Sequence, residues 1–203
     1  MDAFEAKMTA RGMSQASIDA FRSNYDQLVA GNDGIVPEST IEGVTSLPAL
    51  DTIAASAGAD VKDLLAKTAV LKLNGGLGTS MGLEKAKSLL PVKNGKTFLD
   101  LIAEQIKFTR GEFGSDVRFI LMNSFSTSND TRAFLKENHP DLLEEEDVEL
   151  LQNSSCKVDA DTLAPAEFPE NPDMEWAPPG HGDIYPSLVG SGMLDKLLAR
   201  GVE

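Results

Sequence analysis

The residues best placed to do chemistry are a glycine-rich turn and the lysines around it. Asn74 to Gly82 holds four glycines in nine residues and follows Ala69-Val70-Leu71-Lys72-Leu73, a short β-type run. At the carboxyl end of a strand in an open α/β sheet, such a turn lets backbone N–H groups approach phosphates closely. From Lys72 to Lys96 there are five lysines (Lys72, Lys85, Lys87, Lys93, Lys96) against Glu84, a local +4 in a chain of −14, which leaves −18 for the remainder. Positive charge gathered around a flexible turn on an acidic body favours a compact polyanion such as a nucleotide. Two familiar phosphate motifs do not fit. Gly76 to Gly82 reads G-x-G-x-x-x-G, one residue too long for the dinucleotide fingerprint, and Leu90 stands where a P-loop ending at Gly95-Lys96-Thr97 needs its first glycine. A tight strand-to-helix turn with no ligand therefore stays open. A second candidate is His181, one of two histidines, set between Gly180 and Gly182 after Pro178-Pro179. The prolines stiffen the approach and the glycines permit close contact with a ligand.

The elements that must hold these residues are those of a globular chain. It has 203 residues, 41% hydrophobic and 25% charged, enough to bury a core. Its 18 basic against 32 acidic side chains disfavour nucleic-acid binding, which relies on Lys and Arg neutralising phosphates. Apolar runs such as Phe119 to Met122 are strand-length, so no membrane span is expected. The start, Met1 to Lys7, carries no readable secretory signal, and the single cysteine, Cys156, suits a reducing compartment, with the cytoplasm as the expected address.

Residues 1–67 read as a helical, partly irregular lead whose expected task is packing. Ser14 can cap a helix with Ile18, Phe21, Tyr25 and Leu28 on one stripe, ended by Gly31-Asn32-Asp33-Gly34. Val36 to Pro48 has the punctuation of a linker, and Asp60 can cap a short helix carrying Val61, Leu64 and Leu65. From 68 to 203 the periods alternate. Thr97 opens a helix with Phe98, Ile102 and Ile106, and Asp100 stands three residues after the cap. Val117 to Met122 reads as a buried strand, Ser128 or Asn129 starts a helix stopped by Pro140, Val148 to Leu151 is a strand, and Ser187 to Leu198 a helix. That order predicts an α/β fold with a mostly parallel sheet between helices. His139 is expected against helix-end carbonyls. The six acids between Asp141 and Glu149 are expected to form a solvated face. Trp176 could cover the base of the His181 loop or stack on a ligand.

Leu71-Lys72-Leu73-Asn74-Gly75-Gly76-Leu77-Gly78-Thr79-Ser80-Met81-Gly82, followed by Ala86-Lys87-Ser88-Leu89-Leu90-Pro91-Val92, resembles the signature of the UTP–glucose-1-phosphate uridylyltransferases. Three further segments fall in that family's order: Met122-Asn123-Ser124-Phe125 with Asn129-Asp130-Thr131, Leu151-Gln152-Asn153, and Pro178 to Asp183 leading to Ser191-Gly192-Met193-Leu194. The resemblance covers roughly residues 65 to 200.

The resemblance implies a Rossmann-like, GT-A-like nucleotidyltransferase domain with a mixed, mostly parallel sheet. It implies an enzyme joining UTP and glucose 1-phosphate, with Mg²⁺, into UDP-glucose and pyrophosphate by in-line attack on the α-phosphate. By the same resemblance Leu73, Asn74, Gly75 and Gly76 hold the nucleotide, and Lys87 meets the UTP phosphates as the catalytic cation. Gln152 and Gly180 recognise uracil, while His181, with Gly75 and Gly76, contacts the sugar phosphate. The residue types suit these tasks. Phosphoryl chemistry needs positioning and charge neutralisation, and a carboxamide offers a donor and an acceptor to the imide edge of uracil. His181 reads as a binding group rather than a base, because a sugar phosphate is already ionised. The family pattern also places a metal-binding carboxylate, a further phosphate lysine and a C-terminal β-helical domain beyond residue 203, so the chain reads as an N-terminal portion of a longer enzyme. Other readings are a UDP-sugar or UDP-N-acetylhexosamine pyrophosphorylase, a non-catalytic nucleotide-binding module, and a nicotinamide oxidoreductase, the last weakened by the misspaced glycines.

Overall fold

The computed structural model describes residues 1–49, 60–78, 82 and 85–203; Thr79, Ser80 and Met81 of the glycine turn, with Leu83 and Glu84, lie outside the described residues. Three parallel strands form the central sheet in the order β1 (Ala69–Leu73), β4 (Arg118–Asn123), β5 (Glu149–Leu151). Leu73 stands beside Met122, and Asn123 beside Leu151, so the three carboxyl ends lie together at one edge. β4 is the middle strand and is buried from Phe119 onward, as a strand covered on both faces must be.

Helix α4 (Phe98–Phe113) covers one face with Leu99, Ala103 and Ile106, which pack with Phe119, Leu121, Leu135 and Leu142. Ile102 and Ile106 of the expected Phe98–Ile102–Ile106 spacing join this core, while Phe98, the first residue of the helix, is exposed and Leu99 is buried in its stead. The opposite face carries Ile120, Met122 and Leu150 against Met193 and Leu197. The expected single helix over Ser187–Leu198 is two, α7 (Ile184–Gly190) and α8 (Met193–Ala199). Gly192 breaks it with φ +74°, which glycine adopts without steric cost. Helices α5 (Ser128–Asn138) and α6 (Pro140–Leu143) lie between β4 and β5, with Pro140 opening α6.

Between the glycine turn and α4 sits a hairpin of β2 (Pro91–Lys93) and β3 (Lys96–Thr97). Asn94 and Gly95 both take positive φ, the usual asparagine–glycine turn that joins twisted antiparallel strands. In the lead, α1 (Asp2–Ala10) and α2 (Gln15–Val29) pack Phe4, Met8 and Ile18 on Cys156 and Trp176. These two residues come from a second hairpin, β6 (Ser155–Cys156) and β7 (Trp176–Ala177). Ser14 caps α2 through the Ser17 N–H, and Phe21 and Tyr25 join the buried stripe, but Leu28 is exposed. Asp60 caps α3 (Val61–Ala66), whose Val61 and Leu64 are also exposed.

Candidate functional site

The carboxyl ends of β1, β4 and β5 each lead into a residue of one cleft. It has a volume of about 310 Å³ and is lined by Gly75, Gly76, Leu77, Ser126, Gln152, Pro178, Gly180 and His181. Five residues singled out from the sequence, Gly75, Gly76, Gln152, Gly180 and His181, are therefore brought together. Leu73 ends β1, and Asn74 is buried under the turn; neither lines the cleft. Lys87 begins a short 3₁₀ turn, exposed, with its backbone N–H donating to Gly76 O at 3.0 Å.

Gln152 leaves β5 with its N–H on Asn123 O at 2.7 Å, and its side chain is buried. Its Nε2 donates to Gly180 O at 2.6 Å. That carbonyl only accepts, so it selects the NH₂ side of the carboxamide and fixes which way the amide faces. Oε1 lies over Gly75, where a Cβ would stand only 2.9 Å from it. Gly180 has φ +95°, a left-handed conformation that presents its carbonyl to Gln152.

The loop bearing His181 is fastened from beneath. The Asp183 carboxylate is buried and accepts from Asn153 N–H at 2.7 Å, from Asn153 Nδ2 at 3.1 Å and from Ser187 Oγ at 2.7 Å. The imidazole itself is exposed at the cleft.

Comparison with known proteins shows the family. Residues 18–203 match the family model described as UTP–glucose-1-phosphate uridylyltransferase. The chain belongs to the UTP–glucose-1-phosphate uridylyltransferase family. It is 44% identical to the Solanum tuberosum member over 147 residues, 71% of this chain and 30% of that protein. It is 38% identical to the Astragalus penduliflorus member over 205 residues, 97% of this chain and 43% of that protein. Among solved structures, a mutant UDP-glucose pyrophosphorylase from Leishmania major in complex with UDP-glucose matches with TM-score 0.92 and 46% identity, covering 98% of this chain and 41% of that one. The Trypanosoma brucei structure matches with TM-score 0.87 and 44% identity, covering 98% of this chain and 42% of that one. The chain thus spans well under half the length of these uridylyltransferase relatives.

The family's chemistry, nucleotidyl transfer, generally employs a divalent metal. Among the described residues no three His, Cys, Asp or Glu side chains gather so as to hold an ion, and the cleft offers amides, a carboxamide and an imidazole. These residues do not fit a metal centre. Nor does any helix of the described residues have the length and apolarity to cross a membrane.

Some candidate features sit elsewhere. Lys96 pairs with Glu104 at 2.6 Å, so that member of the cationic group faces α4 instead. His139 is not at helix-end carbonyls: its Nε2 meets Asp100 Oδ1 at 2.9 Å and its Nδ1 meets Lys107 Nζ at 3.2 Å. Trp176 is a core residue under the lead helices, with the Arg11 guanidinium 4.5 Å over its ring. Ser126 lines the cleft although nothing in its type marked it, and Leu77 of the glycine turn and Pro178 of the His181 approach line it as well.

Proposed function

We propose that this chain supplies the nucleotide-gripping part of an enzyme that makes UDP-glucose and pyrophosphate from UTP and glucose 1-phosphate. Residues 68–203 are taken as the first part of its nucleotidyltransferase domain and residues 1–67 as the lead. The observation that carries the reading is the Gln152 carboxamide, pinned by Gly180 O and lying over Gly75. With one N–H engaged, it retains a donor and an acceptor side by side, the complement of uracil's imide edge. Cytosine presents the opposite pattern there, and a pinned amide cannot flip to meet it. The Leishmania major protein's complex with UDP-glucose supports the same ligand class.

In this reading the glucose 1-phosphate oxygen attacks the UTP α-phosphorus in line and pyrophosphate leaves. The Gly75 and Gly76 amides receive the nucleotide, Lys87 sets a compact cation against phosphate charge, and His181 contacts the sugar phosphate. Magnesium accompanies UTP as its counter-cation, and the described residues offer no cluster of carboxylates or imidazoles to hold it. A reducing, cytoplasmic setting belongs to the same reading. It is supported by Cys156, whose thiol is buried away from any disulfide partner and pushed up to about 11 by burial.

Calorimetric titration of the 203-residue chain with UTP and CTP tests this. UTP binds at least about tenfold more tightly than CTP, the discrimination expected when a mismatched base leaves polar groups unpaired, and Gln152→Ala levels the two. Equal affinity of the unaltered chain for both nucleotides, or none for either, refutes the reading.

A further inference from the structure

We propose that Thr127 and Ser124, at the corner between β4 and α5, are positioning residues that hold the amides of Gly75 and Gly76 open to the ligand. The proposal rests on the reading of the cleft as a uridine nucleotide site and adds the groups that shape it. In a planar trans peptide the carbonyl and the next residue's N–H point in opposite directions, so fixing one fixes the other. The Thr127 hydroxyl donates to Asn74 O at 2.8 Å, and the Ser124 hydroxyl donates to Gly75 O at 2.8 Å. Both carbonyls are thereby drawn into the corner. The N–H groups of Gly75 and Gly76 must then face away from it, toward the cleft that these glycines line. Neither N–H has a hydrogen-bond partner among the described residues.

The carbonyls are the nearest partners of the two hydroxyls: the hydroxyl oxygens stand 3.3 Å from each other, and Thr127 Oγ1 is 3.5 Å from Ser124 O, both longer than the 2.8 Å to Asn74 O and Gly75 O. Thr127 Oγ1 also accepts the Ser124 N–H at 3.0 Å, and both residues are fully buried behind the cleft lining without being part of it. A second tie holds the start of the turn. Asn74 Nδ2 donates to Asn123 Oδ1 at 2.6 Å and to Thr131 Oγ1 at 2.9 Å, and Asn123 Nδ2 donates to Glu149 Oε1 at 2.7 Å. The Glu149 carboxylate also accepts from Ser128 Oγ at 2.6 Å and from Arg132 at 3.0 Å. The carboxylate therefore orients the Asn123 amide, which in turn orients Asn74. In this way the carboxyl ends of β1 and β4 and the first residue of β5 are locked into one polar frame beneath the turn.

The test compares Thr127→Val, which keeps the shape and deletes the hydroxyl, with Thr127→Ser, which keeps the hydroxyl. Ser124→Ala serves as an independent deletion if Thr127→Val does not fold. Two readouts are taken on the 203-residue chain: the backbone amide resonances and hydrogen exchange of Gly75 and Gly76, and the UTP dissociation constant by calorimetry. The expected result is that Thr127→Val or Ser124→Ala shifts the two glycine amides and weakens UTP by about tenfold, the scale of one buried carbonyl left unpaired. Thr127→Ser restores both. Unmoved Gly75 and Gly76 amides in a folded Thr127→Val or Ser124→Ala chain overturn the proposal, as does unchanged UTP affinity in a chain that binds UTP. If the unaltered chain binds no UTP, the functional reading fails by itself, and the positioning claim is still decided by the two glycine amides.

Discussion

At Gly75 the missing side chain is the functional feature. A Cβ there would stand 2.9 Å from Gln152 Oε1 and 3.5 Å from the Ser124 backbone, closer than Gln152 can tolerate in its present rotamer. The carboxamide would have to give way, and it can do so only by straining or losing the hydrogen bond to Gly180 O. Gly75→Ala is therefore expected to weaken UTP by about tenfold and to reduce the preference over CTP, as the displaced amide no longer presents its fixed donor and acceptor. Parallel titrations with both nucleotides check this, and an unaltered ratio would contradict it. Gly75 and His181 were legible in the sequence from their types, a glycine turn after a strand and a histidine between glycines, whereas Gln152 was legible only through the resemblance. Ser124 and Thr127 were not: their partners are backbone carbonyls some fifty residues earlier, and only the parallel pairing of β1 with β4 brings them together. Lys87 was legible through the motif, yet what ties it to the turn is its backbone N–H.

Among the elements, α4 shows what a sequence signal can and cannot reveal. Thr97 and Asp100 form a reciprocal cap, Thr97 Oγ1 accepting from Asp100 N–H at 3.1 Å and Asp100 Oδ2 from Thr97 N–H at 2.7 Å. This pair was readable from its spacing of three. The His139 ring that donates to the same carboxylate was not, since it arrives from the far end of α5. Burial by itself would push the Asp100 carboxyl up, but the Thr97 N–H, the Thr97 hydroxyl and His139 together outweigh it and hold the group below the usual aspartate value. A lowered carboxyl pKa stabilises the fold above the unfolded-state value, near 4, and that stability is lost as pH falls through the lower folded value. Asp100→Asn is thus expected to cost about 1 kcal/mol at neutral pH, with the gap from the unaltered chain closing below about pH 4. Denaturant midpoints of both proteins across that range measure it; a pH-independent gap would assign the cost to packing alone. The break between α7 and α8 was not readable because Gly190-Ser191-Gly192 offers two glycines, and only φ decides which of them ends a helix.

For the molecule as a whole, charge and close packing join segments that the sequence keeps far apart. The acidic run expected to be a solvated face keeps Asp141, Glu144 and Glu146 exposed and is also a paired seam: Asp141 with Lys107, Glu145 with Arg110, Glu146 and Asp147 with Arg200, and Glu149 with Arg132. Composition could not show this, because the cations come from α4, α5 and the end of α8. The lead is fixed to the body in a comparable way. Tyr25 donates to Leu163 O at 2.9 Å, Lys7 pairs with Glu175, and α2 lies directly on α7. At that last contact the N-cap of α2 abuts Gly190, where a Cβ would stand 2.8 Å from Ser14 Cβ, an overlap that no rotation of the serine hydroxyl relieves. Gly190→Ala must therefore separate the two helices or strain them, at a cost of about 1–3 kcal/mol. Gly111 in α4 is the internal control. A Cβ there meets nothing within 4 Å, so Gly111→Ala should stabilise the protein by about 0.5–1 kcal/mol through backbone entropy alone. Chemical denaturation of the two variants is expected to give opposite signs for the same chemical change. Equal signs would mean that α2 does not rest on α7 in solution, and that the lead is held by the Trp176 cluster alone.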